Sequence, residues 1–362
     1  LTVRPLIVDL GRDYRGGQHQ ALLLLQGLRE RGHAPELIAV RDSLLARRAD
    51  SAGIPVYCVS PWCRRVAAAL QILRMAGSGR PDIVHANEPH ALTSGWLARA
   101  HRSVPFIAAR RIALPLSSSS FSLARYRAAS RIVAISRFVE KSVIQSGLPK
   151  INCAVIYDGV QIPGRTSPED RASARAELGI QQGVMCIGNV AAFVPEKGHE
   201  ILLRAFAKLR GQFPGCVLLL SGDGAERKNI RELVQQLQLG DAVKFTGPAT
   251  EISAVLAATD VFAFPSHEEP LGSALLAAMA HSLPVVAIAH GGIPEVVENE
   301  KNGLLVNSLD PDAFSAALAC SLANPDQALR FGECARETIV ERFSADEMVD
   351  ATLRLYEQLI AK

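Results

Sequence analysis

Short runs of β-branched and aliphatic residues alternate along this chain with longer segments whose apolar positions recur every three or four residues, the pattern of buried strands feeding amphipathic helices. In the first half the runs fall at 5–10, 37–40, 54–59, 82–86, 105–109, 131–135 and 154–157, with helical spacing clearest at 18–31 and 136–146. Near-continuous apolar runs separated by helices predict a parallel sheet covered on both faces. A polar stretch at 161–170, QIPGRTSPED, holds two prolines and a glycine and reads as a linker. Strand patterns resume at 184–190, 217–221, 243–246, 261–265, 284–288 and 304–306, and helical patterns at 311–323, 326–343 and 345–361 close the chain. The expected class is α/β: two Rossmann-like, doubly wound parallel-sheet domains facing a cleft in which ligands sit.

Length and composition agree with that division. A chain of 362 residues fits two domains, each of roughly 150 to 200 residues. The boundaries expected are 1–162, a linker at 163–180, 181–344, and a final helix at 345–362. Aromatic residues are only 5% while hydrophobic residues reach 48%, which favours helices on parallel strands over an all-β sandwich. No apolar run approaches the ~18 residues of a membrane span. The opening LTVRPLIVDLG reads as a strand after a removed initiator Met rather than a signal peptide. Seven scattered cysteines without a close CxxC pair read as reduced thiols of a cytoplasmic protein, and no metal site is expected of them.

Charge changes the picture more. The net charge is +3, yet residues 1–150 carry 22 Lys and Arg against 9 Asp and Glu, leaving 17 against 27 for the remainder. Between 64 and 137 there are twelve arginines and two acids, Asp82 and Glu88. Such a stretch is either a solvated surface or a face for anionic lipid headgroups or a phosphorylated acceptor. No aromatic-stacking or recognition-helix motif accompanies it, so nucleic acid is not an expected partner.

The candidate chemistry lies in the turns that follow the strands. Gly16 and Gly17 precede the first helix, where glycines let backbone approach a phosphate or simply make a tight turn. The full GxGxxG fingerprint is absent, which disfavours a dinucleotide-binding dehydrogenase. Lys197, in VPEKG, follows the first strand of the second half and could neutralise a diphosphate leaving group or remain a solvated loop residue. Gly222 and Gly224, in SGDG, end the next strand. His267, Glu268 and Glu269 precede Gly272, which opens an Ala-rich helix whose N-terminus can hold a phosphate. Gly291, Gly292 and Glu295 form the next loop along the same edge. His85, ending a buried strand, is either a core histidine or a ligand contact. The serines 117–120 could be an acceptor loop or a connector.

Taken together, the Gly16–Gly17 loop, DIVHANEPH, IVAIS, VIYDGV, VPEKG, SGDG, HEEPLG with AMAHSLPVVA, GGIPEVV and NGLLV resemble the retaining family-4 glycosyltransferases of the GT-B fold over essentially the full length. The RRIALPL stretch, with Arg110 and Arg111, is similar to a subgroup linked to bacterial lipopolysaccharide and other surface-glycan assembly. The resemblance implies transfer of a sugar from a nucleotide-diphosphate donor to a glycan or lipid-linked acceptor, with retained configuration and no required metal or other cofactor. It implies that the last helix packs back on the first domain. The reduced cysteines and the basic stretch give the expected location, the cytoplasm, with peripheral attachment to the inner face of the cytoplasmic membrane as an option.

By the same resemblance Lys197 would contact the donor diphosphate, Glu269 would lie near the transferred sugar, and Leu271 and Gly272 would lie by the phosphates. Gly16 and Gly17 would approach the phosphates and acceptor from the first domain, where Arg111 and His85 are the catalytic candidates to be set beside Lys197 and Glu269. The sequence also departs from the pattern. Ala277 stands where a second glutamate would hold the ribose, and Ala192 where an arginine accompanies the lysine. Arg111 and Asn87 stand where histidines are common. Either other groups, Arg110, Arg111 and His85 among them, have taken over, or the protein is a catalytically weakened homologue serving as a binding or assembly subunit. A nucleotide-sugar epimerase is a further alternative.

Overall fold

The computed structural model describes residues 2–117, 119–248 and 252–361; of the serine run, position 118 lies outside them. The chain forms two compact units, residues 1–159 with 344–362 and residues 160–343.

The first unit is a parallel seven-stranded sheet in the order β3-β2-β1-β4-β5-β6-β7. Its strands are β1 (Pro5–Asp9), β2 (Glu36–Val40), β3 (Val56–Val59), β4 (Ile83–Ala86), β5 (Phe106–Arg110), β6 (Arg131–Ala134) and β7 (Cys153–Val155). Successive side chains of a strand point to opposite faces. Leu6 and Val8 therefore enter one core layer, with Ile72 and Phe106, while Ile7 enters the other, with Leu25 and Tyr356. That second layer is closed by the helix Ala345–Ile360, which lies along the helix Gly16–Glu30. Arg31 clamps this helix through Asp350 at 2.6 Å and Asp346 at 2.9 Å.

The second unit is a parallel six-stranded sheet in the order β10-β9-β8-β11-β12-β13. Its strands are β8 (Cys186–Val190), β9 (Val217–Ser221), β10 (Val243–Gly247), β11 (Val261–Phe264), β12 (Val285–Ile288) and β13 (Leu304–Val306). Leu218 and Leu220 face one layer and Leu219 the other, so the strand is apolar on both sides, as a doubly covered sheet requires.

The structure departs from the expected linker. Within 163–180 lies the helix Pro168–Glu177, begun by a capping box between Ser167 and Asp170 with proline at its first position. It belongs to the second unit: Ala174 and Ile180 pack with Val255 and Ala258. Arg175, 3% exposed, reaches Asp260 at 2.6 Å. Ser-Pro-Glu-Asp, read as linker composition, is a helix start.

Candidate functional site

In each sheet the strand order reverses once, and outside the carboxyl ends at such a reversal open α/β sheets bind ligands. In the second unit the reversal lies between β8 and β11. Lys197 sits in the turn Pro195–Lys197 after β8, and Glu269 in the loop after β11. Their side chains meet at 2.5 Å and are 22% and 10% exposed. The geometry thus joins the two charged residues that stood 72 positions apart.

Close backbone contacts hold this pair. Gly198 has φ +67°, and any β-carbon there would collide with the Pro265 carbonyl. His267 N donates to Glu196 O at 3.0 Å, tying the acidic loop to the lysine loop. Gly292 N donates to Glu269 O at 2.9 Å, tying in the loop after β12. Phe193 N donates to Asp223 O at 2.9 Å and adds the loop after β9. Four loops on one edge are therefore a single hydrogen-bonded assembly.

Gly222 and Gly224 serve that assembly. Side chains there would strike the carbonyls of Ala191 and Phe193. Leu271, 2% exposed, is an anchor of the acidic loop. Gly272 is the N-cap of the helix Ser273–Ala280, with φ +101° and no side-chain acceptor for the first N–H groups. His267 is half-buried, its Nδ1 without a partner. Glu295 closes the turn Ile293–Glu295, and its carbonyl accepts from Arg342 at 3.3 Å. Ala277 is buried on the Ser273–Ala280 helix, and Ala192 is exposed.

In the first unit the reversal lies between β1 and β4. Here a polar network occupies the carboxyl edge. Asp9, 1% exposed, accepts from Asn87 Nδ2 at 2.6 Å and from Gln18 Nε2 at 3.0 Å. Asn87 Nδ2 also donates to Gly17 O at 3.0 Å, and Asn87 Oδ1 accepts from Arg111 Nη2 at 3.0 Å. Arg111 further pairs closely with Asp158. Burial pushes the Asp158 carboxyl up, and the Arg111 guanidinium pulls it down. Gly17 lies against the Arg111 side chain, while Gly16 begins the helix Gly16–Glu30.

Two of the first-unit candidates are buried. His85 is 4% exposed and its Nδ1 lies 2.6 Å from the Tyr356 hydroxyl, a contact within the core layer closed by the last helix. Burial, and then Arg111, depress its pKa to about 3. Arg110 is buried, donating to the Leu114 carbonyl, and is a packing residue. Conversely Asn87 and Asp158 were missed as partners of Arg111, as were Asp9 and Gln18, which extend the network beyond Asn87. The available signal was the paired departure: Asn87 and Arg111, standing where two histidines are common, touch each other.

Among the described residues no group of three or more His, Cys, Asp or Glu is placed to hold a metal ion, and all seven cysteines are free.

Residues 14–162 match the family described as Glycosyltransferase Family 4, and residues 170–338 that described as Glycosyl transferases group 1. The chain belongs to the glycosyltransferases assembled from these two domains, and its fold is GT-B. It is 30% identical over 298 residues to a D-inositol 3-phosphate glycosyltransferase of Segniliparus rotundus, covering 76% of this chain and 66% of that protein. It is 29% identical over 292 residues to the lipopolysaccharide core biosynthesis glycosyltransferase LpsE of Rhizobium meliloti, covering 80% of each. The Anabaena protein Alr3699/HepE, solved with UDP and glucose, superposes with a TM-score of 0.84 at 24% identity over 99% of this chain and all of that one.

Proposed function

We propose that this chain transfers a glycosyl group from a nucleoside-diphosphate sugar, bound by the second unit, to a glycan or lipid-linked acceptor, with retention of configuration, in the assembly of a surface polysaccharide or lipopolysaccharide. The observation that carries the reading is the Lys197–Glu269 pair at the β8/β11 reversal, beside a helix N-terminus whose first N–H groups have no side-chain cap. Charge develops on the diphosphate as the C1–O bond to phosphate breaks. A lysine and free backbone N–H groups already fixed there stabilise that charge without reorganising. The acceptor oxygen forms the new bond to C1 and its proton passes to the departing diphosphate, so the protein's work is positioning and charge stabilisation. Glu269 lies near the sugar, holding Lys197 until the donor arrives. Support comes from LpsE, named for lipopolysaccharide core biosynthesis, and from HepE, solved with UDP and glucose.

The test is a panel of UDP, GDP, ADP and CMP sugars, read by shift in melting temperature and then by sugar release and transfer. One of the UDP, GDP or ADP sugars should stabilise the protein and support turnover, the CMP sugar, which lacks a diphosphate, should not, and Lys197→Met should lower kcat by about 10²–10³-fold. No shift and no turnover with any donor would overturn the reading and leave the binding-subunit alternative; isomerised free sugar without acceptor would indicate an epimerase.

A further inference from the structure

The helix Arg64–Gly77 of the first unit has two apolar faces. Residues of an α-helix advance by about 100° each. Ala68, Ile72 and Met75 point into the core and are buried. Val66, Leu70 and Leu73 fall on the opposite side, within about 60° of one another, and are 58%, 51% and 55% exposed. Trp62, in the loop between β3 and this helix, is 91% exposed. A helix that only covers a sheet needs one apolar stripe. Single exposed apolar side chains are ordinary, but four on one loop-and-helix segment are a surface that something covers.

The charges around the stripe say what. Residues 51–81 contain Arg64, Arg65, Arg74 and Arg80 and no Asp or Glu. Arg65 and Arg74 lie on the two flanks of the stripe, at about 100° and 80° from Val66. Arg65 Nε donates to His90 Nδ1 at 2.9 Å, and burial, followed by Arg65, Arg64 and Arg125, lowers the His90 pKa, so positive charge also gathers beyond the N-terminal end of the helix. Next to it, Phe121 is 51% exposed with the Arg125 guanidinium 4.6 Å from its ring centre. Two copies meeting two-fold through this face would set arginines against arginines, which disfavours self-association. Aliphatic side chains and a loop-tip tryptophan between uncompensated arginines complement an anionic lipid surface: the apolar groups enter the headgroup boundary and the guanidinium groups meet phosphates.

We propose that Trp62 and the outer face of the helix Arg64–Gly77 form an interfacial binding edge for an anionic bilayer, with Val66, Leu70 and Leu73 seated at the headgroup–acyl boundary and Arg65 and Arg74 on lipid phosphates. No helix among the described residues is long and apolar enough to cross a membrane, so this attachment is peripheral.

The experiment uses the full chain carrying Trp96→Phe, so that Trp62 is the reporting tryptophan, with vesicles of phosphatidylcholine alone or mixed with phosphatidylglycerol. Binding is expected only to the mixed vesicles, with a blue shift of Trp62 emission, and it should weaken as salt rises. Leu70→Ser with Leu73→Ser, and separately Arg65→Glu with Arg74→Glu, should each weaken binding about tenfold or more. Melting temperature in the absence of lipid serves as the control for folding, because these side chains are exposed. Equal binding to both vesicle types, binding to neither, indifference to both pairs of substitutions, or a blue shift that grows with protein concentration without vesicles would each overturn the proposal. No donor or acceptor is present in this assay, so its outcome is separate from that of the transfer reading.

Discussion

Lys197 and Glu269 link the chemistry to the fold at the scale of single residues. Glu269 is 8% exposed, so Lys197→Ala leaves a largely buried carboxylate without its partner. A loop lysine would ordinarily be removable at little cost; this one is not. We expect Lys197→Ala to destabilise the protein by about 1–3 kcal/mol, and Lys197→Ala with Glu269→Gln to recover much of it, measured by urea unfolding; a single variant as stable as the parent would dissolve the pair's structural role. A second expectation concerns His199 and His85. His199 is buried with both ring nitrogens unpartnered, and burial followed by Lys197 depresses its pKa to about 4. His85, depressed to about 3, faces Tyr356 and Arg111. Both are neutral when folded and gain a proton more readily when unfolded. The stability they confer is complete above about pH 6.5, the ordinary histidine value, and is lost as pH falls through the folded values. Each contributes a slope of at most about 1.4 kcal/mol per pH unit. Unfolding free energies between pH 7 and pH 4 should fall less steeply for His199→Gln than for the parent, and identical slopes would refute the assignment.

Between elements, the contact of the helix Gly16–Glu30 with the helix Ala345–Ile360 depends on a missing side chain. A β-carbon at Gly27 would lie 2.6 Å from Val349 Cγ2. Alanine would gain about 1 kcal/mol of helix propensity, against an overpacking cost of about 1–3 kcal/mol. We expect Gly27→Ala to be neutral or destabilising on its own and stabilising in the background of Val349→Ala, where the methyl has room; a thermal-melt cycle of the four proteins measures the difference. The helix Pro168–Glu177 makes the complementary point. Its apolar signal is weak because its buried residues are one short alanine, Ala174, and Arg175, which with the half-buried Arg171 donates to carbonyls and to Asp260. Hydrophobic periodicity cannot see a helix anchored by guanidinium groups.

For the whole molecule, the first unit is discontinuous in the chain and the second is not. Tyr356, Val349, Leu355 and Leu359 complete one core layer of the first unit from the far end of the sequence. Ending the chain at position 343 strips that layer and leaves His85 without the Tyr356 hydroxyl. We expect this truncation to expose the first unit to limited proteolysis while residues 160–343 stay resistant and still answer to the nucleotide that stabilises the full chain. Equal resistance of both units would show that the last helix is dispensable.

The strands, the two parallel sheets and the edge on which the glycine loops gather were legible in sequence, because doubly buried strands are short continuous apolar runs and the turns between them are marked locally by Gly and Pro. Lys197 and Glu269 were legible as separate residues on two loops of that edge. Their contact was not, since it depends on which strands are neighbours, and β8 neighbours β11 across the whole β9–β10 excursion. The same holds for Asn87 and Arg111: each looked like a lost histidine, and only the β1/β4 reversal shows that Asn87 bridges Arg111 to Asp9. His85 went the other way, a polar residue at a strand end whose partner, Tyr356, lies 271 positions later. The outer face of the helix Arg64–Gly77 was visible as charge alone; that Val66, Leu70 and Leu73 point outward was decided by which side of the helix the sheet claims. Local pattern determines elements, and tertiary neighbours determine which of their polar groups are paired, buried or left to meet something else.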